Sequence, residues 1–115
     1  MKVRGFAVSA ALVGGSAVAL GAFASHAMTG EAASTMDIAV RYAMWHALAI
    51  LACLAIDRQM SRAPLLFLAG ILLFSGSLAA FALGGPRFLV FVTPVGGVVL
   101  ILGWLTAALS FWRLP

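Results

Sequence analysis

His46 is the residue best suited to chemistry in this 115-residue chain. It lies in the stretch Tyr42–Leu51, which otherwise has the character of a membrane-embedded helix. A polar side chain at that depth is costly, so a buried imidazole needs a hydrogen-bond partner or a use. His46 is therefore the first candidate for a functional residue.

Other polar side chains are predicted to share the outer half of the membrane with His46. Counting residues from the predicted outer face places them roughly 8–12 Å deep. They define a candidate polar pocket, with His26 nearer the outer end of the first helix: His46, Tyr42, Ser75, Ser77, Thr93 and His26. Such groups can fix helix register through hydrogen bonds worth on the order of 1 kcal/mol, or they can hold a small ligand.

Two pairs of imidazole and thioether groups raise the possibility of copper binding. His26 and Met28 are two residues apart, as are Met44 and His46. Thioether and imidazole ligands suit copper. However, a spacing of two places side chains about 200° apart around a helix, so neither pair can easily hold one ion. We expect no metal site and no cofactor.

Groups for catalysis are otherwise nearly absent. The sequence has no paired carboxylates, no nucleophile with a suitably spaced base, no phosphate-binding loop and no zinc motif. Its three acidic residues are predicted at the membrane surface, which excludes an acidic proton relay. The seven Lys and Arg residues are scattered singly, which argues against nucleic-acid binding. We expect that the chain is not an enzyme.

The composition is typical of a membrane protein. Hydrophobic residues make up 64% of the chain and charged residues 9%, with a mean hydropathy of +1.16. That is too little charge to cover a soluble domain of this size. The sequence predicts one domain over residues 1–115, an all-α integral-membrane four-helix bundle with spans at about 5–27, 37–56, 65–83 and 88–109.

The basic residues predict how the spans are oriented. One end of the predicted bundle carries Lys2, Arg4, Arg58, Arg62 and Arg113. The other end carries Arg41 and Arg87 together with Glu31 and Asp37. The positive-inside rule then places both termini in the cytoplasm of a bacterial inner membrane. The first span also imitates a secretory signal peptide, but its apolar run is longer than usual, so we expect it to be retained.

The connections between spans carry local signals. Met28–Met36 is predicted as a polar loop, and Ser34 with Asp37 forms a capping-box-like start for the second helix. Asp37 and Arg41 have the spacing of a helical ion pair. Gly84–Arg87 has the composition of a tight turn.

Proline and glycine are predicted to shape the helix packing. Pro94 frees a backbone carbonyl and should kink the fourth helix, with Thr93 or a neighbouring helix satisfying the freed group. Small residues let helix backbones approach closely where lipid supplies no hydrophobic drive for association. The glycines expected at such contacts are Gly21, Gly76, Gly96 and Gly97.

Four blocks of the sequence resemble one family. They are ALGAFASH at 19–26, YxxxHALAIL at 42–51, LFSGSL at 73–78 and FVTPVGG at 91–97, followed by Gly103–Trp104. In this order they are similar to the YgdD-like family of small bacterial inner-membrane proteins, domain of unknown function 423. The resemblance implies a four-helix inner-membrane protein and no known activity. The chain departs from the family pattern at Ala24–Ser25 and at Ala79.

Two classes of function remain open. The first is a structural or accessory membrane component that packs through Gly/Ala-rich helix faces, with the lipid bilayer and a homo-oligomer or larger complex as partners. The second is a small-ligand, metal or transport module that uses the pocket around His46, Ser75, Ser77 and Thr93, beside the Pro94 kink.

Overall fold

The computed structural model describes residues 1–115 as four helices and no strand. They are α1 Val3–Ala27, α2 Gly30–Ile56, α3 Arg62–Ala82 and α4 Leu89–Trp112. Each helix is long and apolar enough to cross a membrane. The all-helical fold with four membrane-spanning helices is therefore confirmed, although several helices are longer than predicted.

The predicted polar loop between the first two helices is wrong. Only Met28 and Thr29 separate α1 from α2, because α2 begins at Gly30. Ser34 does not cap a helix either, since its hydroxyl donates back to the Gly30 carbonyl at 3.4 Å, inside α2. The predicted ion pair between Asp37 and Arg41 is present.

Tertiary packing explains this early start of α2. Met36 is fully buried in a small cluster with Ala24 and Ala39, and Leu78 and Ala82 of α3 are among the residues that pack against this cluster. Local loop composition is outweighed by this burial, since a helix draws most of its stability from packing.

The connection between α3 and α4 is a tight turn, as predicted. Gly84 adopts φ +101°, a left-handed conformation that favours glycine. Its N–H donates to the Phe81 carbonyl at 3.0 Å, and the Gly85 N–H donates to the Ala80 carbonyl at 2.8 Å. This pair of hydrogen bonds is the Schellman motif, which ends α3 at Ala82.

The other two boundaries also differ from the predicted spans. α3 begins at Arg62, where the Leu65 N–H donates to the Ser61 carbonyl at 2.9 Å, so Pro64 lies in the first helical turn as expected. α4 runs unbroken through Pro94 and extends to Trp112.

The helices pack in chain order. α3 packs most extensively on α4, α2 on α3, and α1 on α2, whereas α1 touches α3 only slightly. Neither α1 nor α2 packs extensively against α4. The arrangement is therefore more open than a closed four-helix bundle, with α1 and α4 at opposite margins.

Glycines allow α3 and α4 to approach closely. A Cβ on Gly96 would overlap the backbone of Phe74. A Cβ on Gly103 would lie 2.8 Å from the Phe67 ring, and one on Gly70 would overlap the Leu100 side chain. Gly96, Gly70 and Gly103 therefore lie where α3 and α4 meet most closely, and of these three only Gly96 was expected at a close contact.

The other three glycines predicted at helix contacts, Gly21, Gly76 and Gly97, differ in how closely a neighbouring helix approaches them. A Cβ on Gly97 would lie 3.7 Å from the Phe74 ring, and a Cβ on Gly21 would lie 3.7 Å from Val40 of α2, both ordinary contact distances. Gly76 is exposed, and a Cβ there would come no closer than 4.0 Å to other atoms. Gly76 is therefore not at a close contact between helices of this chain.

Candidate functional site

Both ring nitrogens of His46 have partners within the chain. Nδ1 lies 2.6 Å from the Tyr42 carbonyl oxygen, and the Trp104 indole N–H donates to Nε2 at 3.1 Å. An indole nitrogen only donates, so Nε2 must be the accepting nitrogen and the ring proton is assigned to Nδ1. This neutral tautomer connects α2 to α4 and leaves no ring nitrogen free.

Aromatic rings surround this hydrogen bond. The His46 ring lies 5.7 Å from the Phe67 ring and 5.8 Å from the Trp104 ring, centroid to centroid. Phe67 and Trp104 meet edge-on at 4.9 Å, a favoured geometry for aromatic pairs. One helical turn from His46, Tyr42 packs against Phe74 at 4.8 Å. The imidazole is therefore held among aromatic rings from α2, α3 and α4.

A cavity opens beside these rings. It has a volume of about 630 Å³ and is lined by residues of α2, α3 and α4, including Trp45, His46, Phe74 and Trp104. Its lining is predominantly hydrophobic. Because both nitrogens of His46 are engaged, the imidazole offers no free nitrogen to a ligand in this cavity.

A second polar contact joins α3 to α4. Ser77 and Thr93 place their hydroxyl oxygens 2.5 Å apart. One of the two hydroxyls donates to the other, and the accepting hydroxyl donates to its own helix, either Ser77 to the Phe74 carbonyl at 3.0 Å or Thr93 to the Leu89 carbonyl at 3.3 Å. The Val90 carbonyl loses its usual hydrogen-bond donor because Pro94 has no N–H. None of the contacts of Thr93 reaches that carbonyl, so Thr93 does not satisfy it.

The predicted common depth of these polar residues is wrong for His46. His46 pairs with Trp104, which lies about 16 Å along α4 from Thr93. Its ring also contacts Phe67, about 15 Å along α3 from Ser77. His46 therefore lies on the order of 10–15 Å deeper than the Ser77–Thr93 pair, because α2 begins earlier than the sequence indicates.

Ser75 stands apart from both contacts. It is 6% exposed, and its hydroxyl has no hydrogen-bond partner. It lines a groove of about 270 Å³ between α1, α2 and α3, whose other lining residues include Ser16, Ala39 and Gly76. Ser75 is the one buried side-chain polar atom of the chain without a partner.

The imidazole and thioether groups considered for copper lie apart. His26 is exposed in the last turn of α1, whereas His46 lies about 24 Å along α2 from Gly30. Met28 directly follows α1, and the Met44 sulfur faces Gly14 of α1. No three His, Cys, Asp or Glu residues are close enough together to hold a metal ion.

Trp104 and Phe67 are the site residues that sequence reasoning missed. The sequence offers one signal for them, since the buried residues of α4 follow a spacing of four and three: Gly96, Leu100, Gly103 and Ala107. That pattern marks the face of α4 that packs on α3, and Trp104 follows directly after Gly103. To predict that Trp104 pairs with His46, one would also have to know that α2 begins at Gly30.

Comparison with known proteins places the chain among uncharacterised membrane proteins. The sequence model of DUF423, a protein family of unknown function, matches residues 20–97. The chain belongs to the DUF423 family. The match covers both histidines and all the polar residues predicted for the pocket.

Relatives of this DUF423 protein are named as membrane proteins. It is 40% identical over 111 residues to a UPF0382 membrane protein of Haemophilus influenzae, covering 90% of each chain. It is 39% identical over 113 residues to the UPF0382 inner membrane protein YgdD of Escherichia coli K12, covering 90% of this chain and 86% of the relative. A UPF0382 membrane protein of Staphylococcus epidermidis is 37% identical over 118 residues, covering 96% of this chain and 95% of the relative. No solved structure matches the chain.

Proposed function

We propose that this DUF423 protein is a non-catalytic structural or accessory component of the bacterial inner membrane. It associates with a second copy, or with a larger complex, through the exposed small-residue face of α1. The proposal rests on the fact that this face is uncovered, because α1 packs against the rest of the chain along one side only.

The outward face of α1 carries a row of small residues among larger exposed apolar side chains. Ala11, Gly15 and Ala19 are exposed and recur every four residues, and nothing lies within 4 Å of a Cβ on Gly15. The opposite face is buried, with Phe6 and Ala10 each 1% exposed. A helix that met only lipid would gain nothing from small residues there, whereas a helix that packs on another helix would.

The use of the polar groups inside the chain supports the same proposal. His46, Ser77 and Thr93 all bond to neighbouring helices or to their own backbone. Such contacts stabilise helix register and leave little for a reacting ligand. A role in assembly fits this arrangement better than a role in catalysis or transport.

For orientation, we propose that both termini face the cytoplasm. Consecutive helices place Lys2, Arg4, the 57–61 connection and Arg113 at one end of the molecule. At the other end, Arg41 is paired with Asp37. The excess of unpaired basic residues at the first end supports a cytoplasmic location.

The test is the oligomeric state of the protein extracted from its own membranes in mild detergent, measured by native mass spectrometry. We expect a homo-oligomer or a complex of fixed ratio, which Gly15→Ile should disrupt by adding bulk to the exposed face. Gly76→Ile is the matched control, because Gly76 is equally open but lies on α3. A wild-type monomer, or an assembly that survives Gly15→Ile, would contradict the proposal.

A second candidate function is the binding of an apolar ligand in the groove beside Ser75. The unpartnered Ser75 hydroxyl favours it, since a ligand with one polar atom could satisfy that group. Extra mass that co-purifies with the wild-type monomer, and is lost in Ser75→Leu, would support this function over assembly.

A further inference from the structure

Basic side chains from two separate parts of the chain face one recess at the end of the molecule. The recess has a volume of about 550 Å³ and lies between the start of α1 and the α2–α3 connection, lined by Lys2, Arg4 and Arg58 with Val3 and Gly5. An adjoining depression of about 380 Å³ shares Lys2 and Arg58. We call the two together the basic recess.

No carboxylate neutralises the basic recess. The one ion pair of the chain, Arg41 with Asp37, lies near the opposite end. Asp57 is the only acidic residue near the recess, and its Oδ1 accepts a hydrogen bond from the Gln59 N–H at 2.9 Å. Asp57 forms no ion pair with Arg58 or any other cation. The positive charges of the recess are therefore available to an anion from outside the chain.

The position of the recess defines which anion suits it. α1 begins at Val3 and α2 ends at Ile56, so the recess lies where the apolar helices meet the membrane surface. Lipid phosphate groups occupy that level, and basic recesses between membrane helices suit their head groups. Arginine side chains match phosphate oxygens in charge and geometry, and lysine adds a compact positive charge.

The basic recess is more than the general excess of basic residues at this end of the molecule. Arg62 and Arg113 lie at that end too, yet neither lines the recess. A rule of orientation alone requires only that basic residues lie on one side of the membrane. It does not require Lys2, Arg4 and Arg58 to converge on one space.

We propose that the basic recess binds a phosphate group at the membrane surface, held by Lys2, Arg4 and Arg58. The phosphate is that of an anionic phospholipid head group or of a free phosphate ion, which share this chemistry. The site is independent of the α1 face proposed for assembly, so either can fail without the other.

The experiment uses the full-length, delipidated protein in mild detergent and measures added-lipid binding by native mass spectrometry. The probes are phosphatidylglycerol, phosphatidylcholine as the zwitterionic lipid, and inorganic phosphate as competitor. We expect one phosphatidylglycerol to bind in preference to phosphatidylcholine. Arg4→Gln and Arg58→Gln should each weaken that binding about fivefold.

Arg62→Gln and Arg113→Gln are the matched controls and should bind phosphatidylglycerol like the wild type. All four positions are exposed, so circular dichroism should show an unchanged helical fold. Competition by millimolar inorganic phosphate would identify a site that takes the free ion, and its failure would assign the site to lipid. Equal binding by Arg58→Gln and Arg62→Gln, or no preference for the anionic lipid, would overturn the proposal.

Discussion

Trp104 supplies the hydrogen bond that joins His46 of α2 to α4. Trp104→Phe keeps a ring against Phe67 but removes the indole N–H, which leaves Nε2 of His46 without a donor. We expect the free energy of unfolding to fall by about 1 kcal/mol, the usual size of an interhelical hydrogen bond in a membrane. Thermal unfolding in detergent measures the change.

Trp112→Phe is the control for this substitution. Trp112 is 86% exposed and makes no side-chain hydrogen bond, so its replacement should leave the unfolding temperature unchanged. Equal unfolding temperatures for the two variants would show that the contact between Trp104 and His46 contributes nothing to stability.

Ser75 and Ser77 form a second matched pair. Ser77→Ala removes the partner of the Thr93 hydroxyl and should destabilise the protein by about 1 kcal/mol. Ser75→Ala removes a buried hydroxyl that has no partner, so it should be neutral or stabilising. Unfolding of both variants in a denaturing-detergent titration compares them, and a larger loss for Ser75→Ala would indicate a partner from outside the chain.

At the level of the helices, the contact of α3 with α4 depends on Gly96. Gly96→Ala places a methyl group against the Phe74 backbone, which cannot move as a flexible side chain would. Overpacking of this kind typically costs about 1–3 kcal/mol. Gly15→Ala, at the open position on α1, should cost nothing. Thermal unfolding compares the two variants. Equal stability would mean that α3 and α4 can move apart to admit the methyl group at no cost in the free energy of unfolding.

The helices themselves were largely predictable from the sequence, because long apolar runs suffice to identify spans. The start of α2 was not, since Gly30, Glu31 and Ser34 have the composition of a loop, whereas in the structure this part of α2 is helical and Met36 is buried in a cluster that α3 packs against. Because α2 was predicted to begin too late, His46 was placed too close to the outer surface of the membrane. The pairing of His46 with Trp104 could not be predicted, because spacing fixes depth along a helix but not which faces meet.

At the scale of the whole molecule, the dimensions fit a bilayer. The longest extent is 49 Å, slightly more than the roughly 40–45 Å of a membrane with its head groups. Large apolar side chains such as Leu12, Leu72 and Ile101 are exposed along the helices, as a lipid-facing surface requires. With α1 and α4 at opposite margins, a second protein surface beside α1 would complete the packing that the single chain leaves open.

The proposed orientation predicts which connections are reached from outside the cell membrane. In a Cys53→Ala background, Phe88→Cys and Gln59→Cys each introduce one thiol at an exposed, uncharged position of a connection. The positive-inside rule places Phe88 outside and Gln59 in the cytoplasm. A membrane-impermeant maleimide should therefore label the Phe88→Cys variant in intact spheroplasts, and the Gln59→Cys variant only after permeabilisation. The reverse pattern would place the basic recess on the outer surface and refute the orientation, while the helix packing would stand unchanged.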